Sequence, residues 1–506
     1  MILFWLILIP LLGGAVAWGA AHWNGLWARW TSVLALSLYT GIVAGLGVFG
    51  AGLDGAFAGQ PRWLTTLSWE WLPSVGIGFA LALDGLSLLL LLLTGVLGLI
   101  AVIISWDSVS RRVGFYHFCL LGTLSGVTGV FLAVDLFFFV FFWELMIVPM
   151  YFLIGIWGHE QREYAATKFF LFTQAGGLIM LLAILALYFF NGQITGVYTF
   201  RYETLLNHSI EPAVSFWLLL GFMIAFAVKL PAVPFHTWLA DAHSEAPTAG
   251  SVLLAGLFLK TGAYGLMRFG VPLFPQAAAE LAPTAMTLGV ISILYGAKLA
   301  FAQRDLKRLV AYTSISHMGF VLLGIFAWNT WALQGVVMQI ICHGLSTGAL
   351  FIIAGALQDR LHTRDMDQMG GFWQQAPRMA GVGLFFALAS LGLPGLGNFV
   401  GELLILLGAF PVNRALTAIA VLGLVAAAVY SLWLVQRVFH GEPRESLILR
   451  DLSLREAVVM GGLMVGLVWL GLRPQAVLDT ARPALEALQT SSLEVSKLAS
   501  GPRDYE

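Results

Sequence analysis

Apolar residues run through this chain in stretches of about twenty, separated by short polar segments. At a rise of about 1.5 Å per residue, such a stretch matches the ~30 Å hydrocarbon thickness of a bilayer. The pattern predicts fourteen membrane-crossing helices, over approximately 2–20, 28–50, 78–105, 113–132, 135–157, 164–190, 213–234, 248–271, 283–302, 307–327, 331–357, 379–410, 413–439 and 456–473. The Trp-rich piece Trp63–Trp71 is too short to span and is expected at the interface. Met1–Leu12 with Ala15-Val16-Ala17 has the outline of a signal peptide, but no basic residue precedes it, so it reads as a retained first span. The expected fold class is an all-α polytopic membrane bundle.

Two spans carry prolines and glycines at mid-depth. The seventh contains Lys229-Leu230-Pro231-Ala232-Val233-Pro234, and the twelfth contains Gly392-Leu393-Pro394-Gly395-Leu396-Gly397-Asn398. Proline removes a helical hydrogen bond and clashes with the preceding turn, so both spans are expected to be discontinuous. They lie five spans apart, an odd number, so corresponding helices run in opposite directions. That spacing predicts two inverted five-helix repeats, at 113–272 and 283–439, preceded by a three-helix region at 1–112 and followed by a last span and tail at 440–506.

Charge orients the bundle. Loops after odd-numbered spans hold fifteen lysines and arginines, whereas loops after even-numbered spans hold four: Arg62, Arg201, Arg268 and Arg414. The positive-inside rule then places both termini outside the cytoplasm. Arg473, Arg482, Lys497 and Arg503 of the tail run mildly against this. Charged residues make up only 10% of the chain, against about 25% in soluble domains, and the net charge of −1 gives no footprint for nucleic acid. Cys119 and Cys342 form no CxxC pair, which disfavours cysteine-held iron–sulfur clusters and zinc. Gly45-Leu-Gly47-Val-Phe-Gly50 matches a dinucleotide fingerprint but ends a membrane helix with no strand before it.

Ionisable residues inside the spans are the candidate chemistry. Glu144 lies nine residues past Asp135, about 14 Å along the fifth span and near the bilayer centre. A lone charge there costs at least ~2.5 kcal/mol. Lys229 adjoins the first break, Lys260 lies within the eighth span, and Glu402 follows Pro394 in the second broken span. His317 and His343 lie mid-span, and His236 and His243 occupy the polar segment after the seventh span. Such groups can relay protons, since a buried Glu–Lys pair that opens and closes changes the lysine's proton affinity. The alternative is a static ion pair for the charged residues, and for His317 and His343 an ordinary core histidine bonded to a carbonyl. Asp84 and Asp135 read as helix caps or interfacial residues; Lys298 reads as snorkelling to the interface. His236 and His243, seven apart and without a third ligand, make a weak metal pair.

Several segments resemble the antiporter-like subunits of respiratory complex I. They are Phe142-Trp143-Glu144-Leu145-Met146-Ile147-Val148-Pro149, Ala227-Val228-Lys229-Leu230-Pro231-Ala232-Val233-Pro234-Phe235-His236, Asp241-Ala242-His243-Ser244-Glu245-Ala246-Pro247-Thr248, Leu259-Lys260-Thr261-Gly262, Ser316-His317-Met318-Gly319 and Gly397-Asn398-Phe399-Val400-Gly401-Glu402. The resemblance covers nearly the whole chain. A glutamate at 402, where sister subunits have lysine, and the absence of a long lateral helix resemble the M branch of that family.

The resemblance implies a proton-translocating membrane subunit of NADH:quinone oxidoreductase with no redox centre of its own. NADH, FMN, iron–sulfur clusters and quinone are then expected in other subunits, and neighbouring antiporter-like subunits as partners in the bilayer. It implies Glu144 as a modulating carboxylate, Lys229 as its partner and central carrier, Lys260, His317 and His343 as relays, and Glu402 as the terminal carrier. The homologous subunit of a multisubunit Na⁺/H⁺ antiporter shares these motifs, and a structural scaffold is a third reading.

Overall fold

The computed structural model describes residues 1–48, 63–206, 210–441 and 450–490 in full, and the backbone of 49–50 and 491–500. Of the basic residues counted above, Arg62, Arg444, Lys497 and Arg503 lie outside the fully described set. Among the described residues thirteen helices are long and apolar enough to cross a membrane. A fourteenth crossing is built from two shorter apolar helices, Pro377–Ser390 and Gly397–Ala409. The expected helical membrane bundle is thus observed, and its spans follow the hydropathy pattern closely.

Burial sorts the spans into an inner and an outer set. The eighth (Thr248–Leu273), tenth (Leu306–Ala327) and eleventh (Thr330–Leu361) are almost wholly buried, whereas the first and second expose most of their surface. The inner spans carry Lys260, His317 and His343, which neighbouring helices there can solvate.

Two features depart from the hydropathy reading. Residues expected to begin the third span form strand β2 (Ile77–Leu83), paired antiparallel with β1 (Thr65–Leu72), so Trp69 and Trp71 lie in a hairpin. The third span starts only at Gly85, because Asp84 accepts a hydrogen bond from the Ser87 amide and caps the helix there. Residues read as a tail instead form the helix Gln475–Ser500, which buries Val477, Ala481, Leu485 and Leu488 against the bundle. Gly85 is where it docks: a methyl group on Gly85 would overlap the Thr480 carbonyl oxygen. Asp135 caps the fifth span as expected, accepting from the amides of Phe137 and Phe138.

Asp84 also makes a second, unanticipated contact. Arg268, counted as an outer-loop cation, is fully buried in the eighth span and donates to the Asp84 carboxylate. Its guanidinium lies 5.0 Å from the centroid of the Trp63 ring, and Tyr264 bonds the Phe131 carbonyl beside it. This ties the third, fourth and eighth spans together below the hairpin.

At the other end of the bundle several cations are paired with carboxylates. Arg308 and Lys168 share Asp241 at 2.8 and 2.6 Å, Arg364 binds Asp305 and Glu245 at 3.1 and 3.2 Å, and Arg360 binds Glu456 at 2.7 Å.

Breaking a buried ion pair from one side strands a charge and costs about 3–5 kcal/mol. Asp84→Ala is therefore expected to lower the thermal midpoint of the assembled protein, and Asp84→Ala combined with Arg268→Leu to recover most of the loss. An unchanged midpoint in the single variant would show that the pair holds nothing together.

Candidate functional site

The first helix break frees backbone groups in the interior, and side chains take up two of them. Pro212–Lys229 ends the first half of the seventh span, and a second helix, Thr237–Glu245, follows. The Ala232 amide turns back to the Ala227 carbonyl at 2.9 Å, so the Val228 carbonyl loses its helical donor. The Trp238 indole takes that place at 2.9 Å, and the Val233 amide donates to Ser292 Oγ at 3.0 Å. Lys229 is the last residue before the break.

Its ammonium is fully buried yet makes no hydrogen bond. It stands over the rings of Phe258, Trp143 and Phe169 at 4.8, 5.3 and 5.7 Å from their centroids, a cage of cation–π contacts. Glu144, its expected partner, makes no ion pair with it within 4.0 Å, although each lies in the other's field. Glu144 is only partly buried; its Oε1 packs onto Gly177 and Gln174 stands beside it, both on the sixth span, Arg162–Thr195. The pair is thus present in its separated form.

Lys260 has contacts of a different kind. The eighth span contains two π-helical turns, Leu254–Phe258 and Leu266–Gly270, with Lys260 between them. A π turn shifts the hydrogen-bond register by one residue and leaves a carbonyl free. Lys260 Nζ takes the carbonyl of Ala255, five residues back, and reaches His343 Nδ1 at 2.7 Å.

Beyond His343 lies a second hydrogen-bonded group of polar side chains. The His343 and His317 rings lie 5.7 Å apart, centroid to centroid. His317 Nδ1 is 3.0 Å from Glu402 Oε1, and its Nε2 is 3.2 Å from both Ser390 Oγ and Tyr430 Oη. Gln339 Nε2 donates to the same Glu402 oxygen at 3.1 Å. Lys260, His343, His317 and Glu402 are each at most 1% exposed.

The second helix break shapes the end of this row. Gly392 has φ +79° and Gly395 φ +97°, a backbone that residues with a Cβ rarely adopt. A methyl at Gly392 would come 2.6 Å from Glu402 Oε2, the oxygen that finds no hydrogen bond. The break therefore wraps directly over the carboxylate.

The structure thus brings four expected residues, Lys260, His343, His317 and Glu402, into one row, and places Lys229 and Glu144 as a separate, open pair. Sequence reasoning missed Gln339, Ser390 and Tyr430. Gln339 carried a usable signal, lying four residues before His343 on one apolar helix face. Ser390 and Tyr430 gave none, because a lone hydroxyl in a membrane helix more often bonds its own backbone. His243 is fully buried with neither ring nitrogen bonded, its ring stacked on Phe351 at 4.4 Å. Among the described residues no three His, Cys, Asp or Glu side chains gather as metal ligands.

Known proteins share much of this chain's sequence and its fold. Residues 133–428, more than half the chain, match the family described as "NADH:quinone oxidoreductase/Mrp antiporter, TM". NADH-quinone oxidoreductase subunit M of Pseudomonas aeruginosa is 54% identical over 97% of both chains. The Escherichia coli subunit M is 51% identical over 97% of this chain and 98% of its own. A chain of respiratory complex I from Thermus thermophilus superposes with a TM-score of 0.85 at 31% identity, covering 98% of this chain and all of that one. The Mrp complex from a Dietzia species gives a TM-score of 0.81 over 98% of this chain and 99% of its own, but at 20% identity that likeness shows the fold alone. With half of its residues shared along almost its whole length, this chain belongs to the NADH-quinone oxidoreductase subunit M family.

Proposed function

We propose that this chain is a proton-translocating membrane subunit of respiratory complex I, driven by NADH:quinone electron transfer in other subunits. The carrying observation is the buried row from Lys260 through His343 and His317 to Glu402, hydrogen-bonded at each end and bridged in the middle by two imidazole rings 5.7 Å apart, between two broken helices. A static role would be met by one buried pair; four titratable groups in succession are expensive to bury and useful for moving charge.

Each contact has a chemical direction. Lys260 as an ammonium donates to His343 Nδ1, and an imidazole that gains a proton at one nitrogen can release one from the other. His343 Nε2 makes no hydrogen bond in this state and is free to pass that proton on. His317 receives at Nε2, through the hydroxyls of Ser390 and Tyr430, and delivers from Nδ1 to Glu402. Two cationic imidazoles about 6 Å apart would repel by about 3 kcal/mol at an effective dielectric of 20. That is more than a hundredfold penalty, so the row carries one excess proton at a time.

Lys229 and Glu144 then act as the gate. Drawing the Glu144 carboxylate toward Lys229 would pair the ammonium with an anion; separating them, as here, leaves it among aromatic faces alone. The two breaks serve as counterparts in a pair of inverted repeats, 113–272 and 283–439, and the arginine-rich end faces the cytoplasm with both termini on the periplasmic side. NADH, FMN, iron–sulfur clusters and quinone belong to partner subunits, with other antiporter-like subunits as membrane neighbours.

Three outcomes test this in complex I assembled with variant chains, using NADH-driven proton uptake into inside-out membrane vesicles. Glu402→Gln keeps the shape but cannot ionise, and should cut pumping at least tenfold with normal assembly. Pumping at the parental rate would remove Glu402 from the path. Lys229→Arg keeps the charge but hardly deprotonates, so it should be nearly as damaging as Lys229→Ala; full activity in the arginine variant would mark a static role. Glu144→Ala should likewise suppress pumping while Glu144→Asp, one methylene shorter, retains part of it, and equal loss in both would count against a role for the charge.

A further inference from the structure

The row above starts at Lys260 in the interior and needs a supply. At the arginine-rich end lies a cavity of about 930 Å³ walled by polar and charged side chains, among them His159, Asp305, Gln358, Asp359 and Arg364. One wall residue, His159, reaches inward: its Nε2 is 3.4 Å from Nζ of Lys307. Lys307 is fully buried and its other contact is the Ala246 carbonyl at 3.2 Å. We propose, on the reading of the chain as a proton-translocating subunit, that this cavity is the vestibule for proton uptake and that Lys307 hands protons from it to His243 and so to Lys260.

The surroundings of Lys307 suit a carrier better than a brace. Among the described residues no carboxylate lies within 4.0 Å of its ammonium, although nearby Arg308 and Arg364 are both paired with acids. Asp359, Asp305 and Glu245 act on it only from beyond contact, and Arg364 opposes it. It also stands in the first turn of the tenth span, where a cation opposes the helix dipole. A lysine kept for stability would be placed otherwise. His159, in the loop outside the spans, is pushed down to about 4 by burial and by Lys307 and Arg364. It is therefore neutral near pH 7, and a ring nitrogen can accept from the ammonium.

The next group is close at hand. Ala246, whose carbonyl Lys307 contacts, follows the short helix that carries His243 in its last turn. Lys307 and Lys260 are the two cations whose fields reach His243. Its unbonded ring nitrogens can take a proton on one side and release one on the other. The path then runs from cavity to Lys307, His243 and Lys260, crossing the remaining gaps on water. A Grotthuss shift moves one proton per step and leaves each carrier as it began.

The test uses intact complex I in inside-out vesicles, whose outer face is the cytoplasmic one. Lys307→Arg keeps the charge and the donors to Ala246 and His159 but hardly releases a proton. Expected is a loss of NADH-driven proton uptake of at least tenfold, with unchanged NADH oxidation by a soluble artificial acceptor reporting normal assembly. Glu402→Gln runs alongside. If Glu402→Gln stops pumping while Lys307→Arg pumps normally, the inlet is overturned and the relay stands; if both pump normally, the relay itself fails and the inlet with it. Should Lys307→Arg not assemble, Gln358→Cys on the cavity wall decides. The chain's own Cys119 and Cys342 are buried. Labelling Gln358→Cys with a bulky cationic methanethiosulfonate should lower pumping at least threefold relative to labelled parental complex. Pumping unaffected by the label would overturn the vestibule.

Discussion

Hydrocarbon offers no water to an unpaired charge or a free backbone amide, and every polar feature of this protein answers to that constraint. Where a helix is broken, side chains replace the lost ladder: Trp238 and Ser292 serve the first break, and the positive-φ glycines of the second turn the chain over Glu402. Where a charge is buried, it is given a partner, a cage of aromatic rings, or a row of neutral groups that can share its proton.

Those three solutions divide the buried cations by role. Arg268 cannot lose its proton and is matched directly with Asp84; it fastens three spans. Lys229 has aromatic rings and a carboxylate beyond contact. Lys260 and Lys307 touch carbonyls and imidazoles only, and a lysine in such company can exchange its proton without leaving a carboxylate stranded. The chemistry follows from which acceptor lies within reach more than from depth in the bilayer.

The ends of the bundle show the same economy of contacts. Several of the arginines at one end are held in carboxylate pairs, and the adjoining cavity is walled by both signs of charge. A mixed-sign wall attracts water without holding a proton permanently.

Hydropathy alone determined the number and place of the spans, because a bilayer demands about twenty apolar residues per crossing whatever packs around them. Proline and glycine marked both breaks, since their backbone limits are local. The six candidate residues were visible for the same reason: charge and imidazole are conspicuous in apolar sequence. Only tertiary structure decided which of them meet. Lys260 and His343 are 83 positions apart and His317 and Glu402 are 85, so no spacing rule connects them. Glu144 and Lys229, legible as a pair, proved separated, because helix packing and the aromatic cage set that distance. The hairpin at 65–83 escaped because a buried strand is as apolar as a helix. Arg268 and Lys307 read as loop cations because hydropathy places a charge at the nearest helix end; it was the neighbouring helices, supplying Asp84, His159 and the Ala246 carbonyl, that allowed both to be buried.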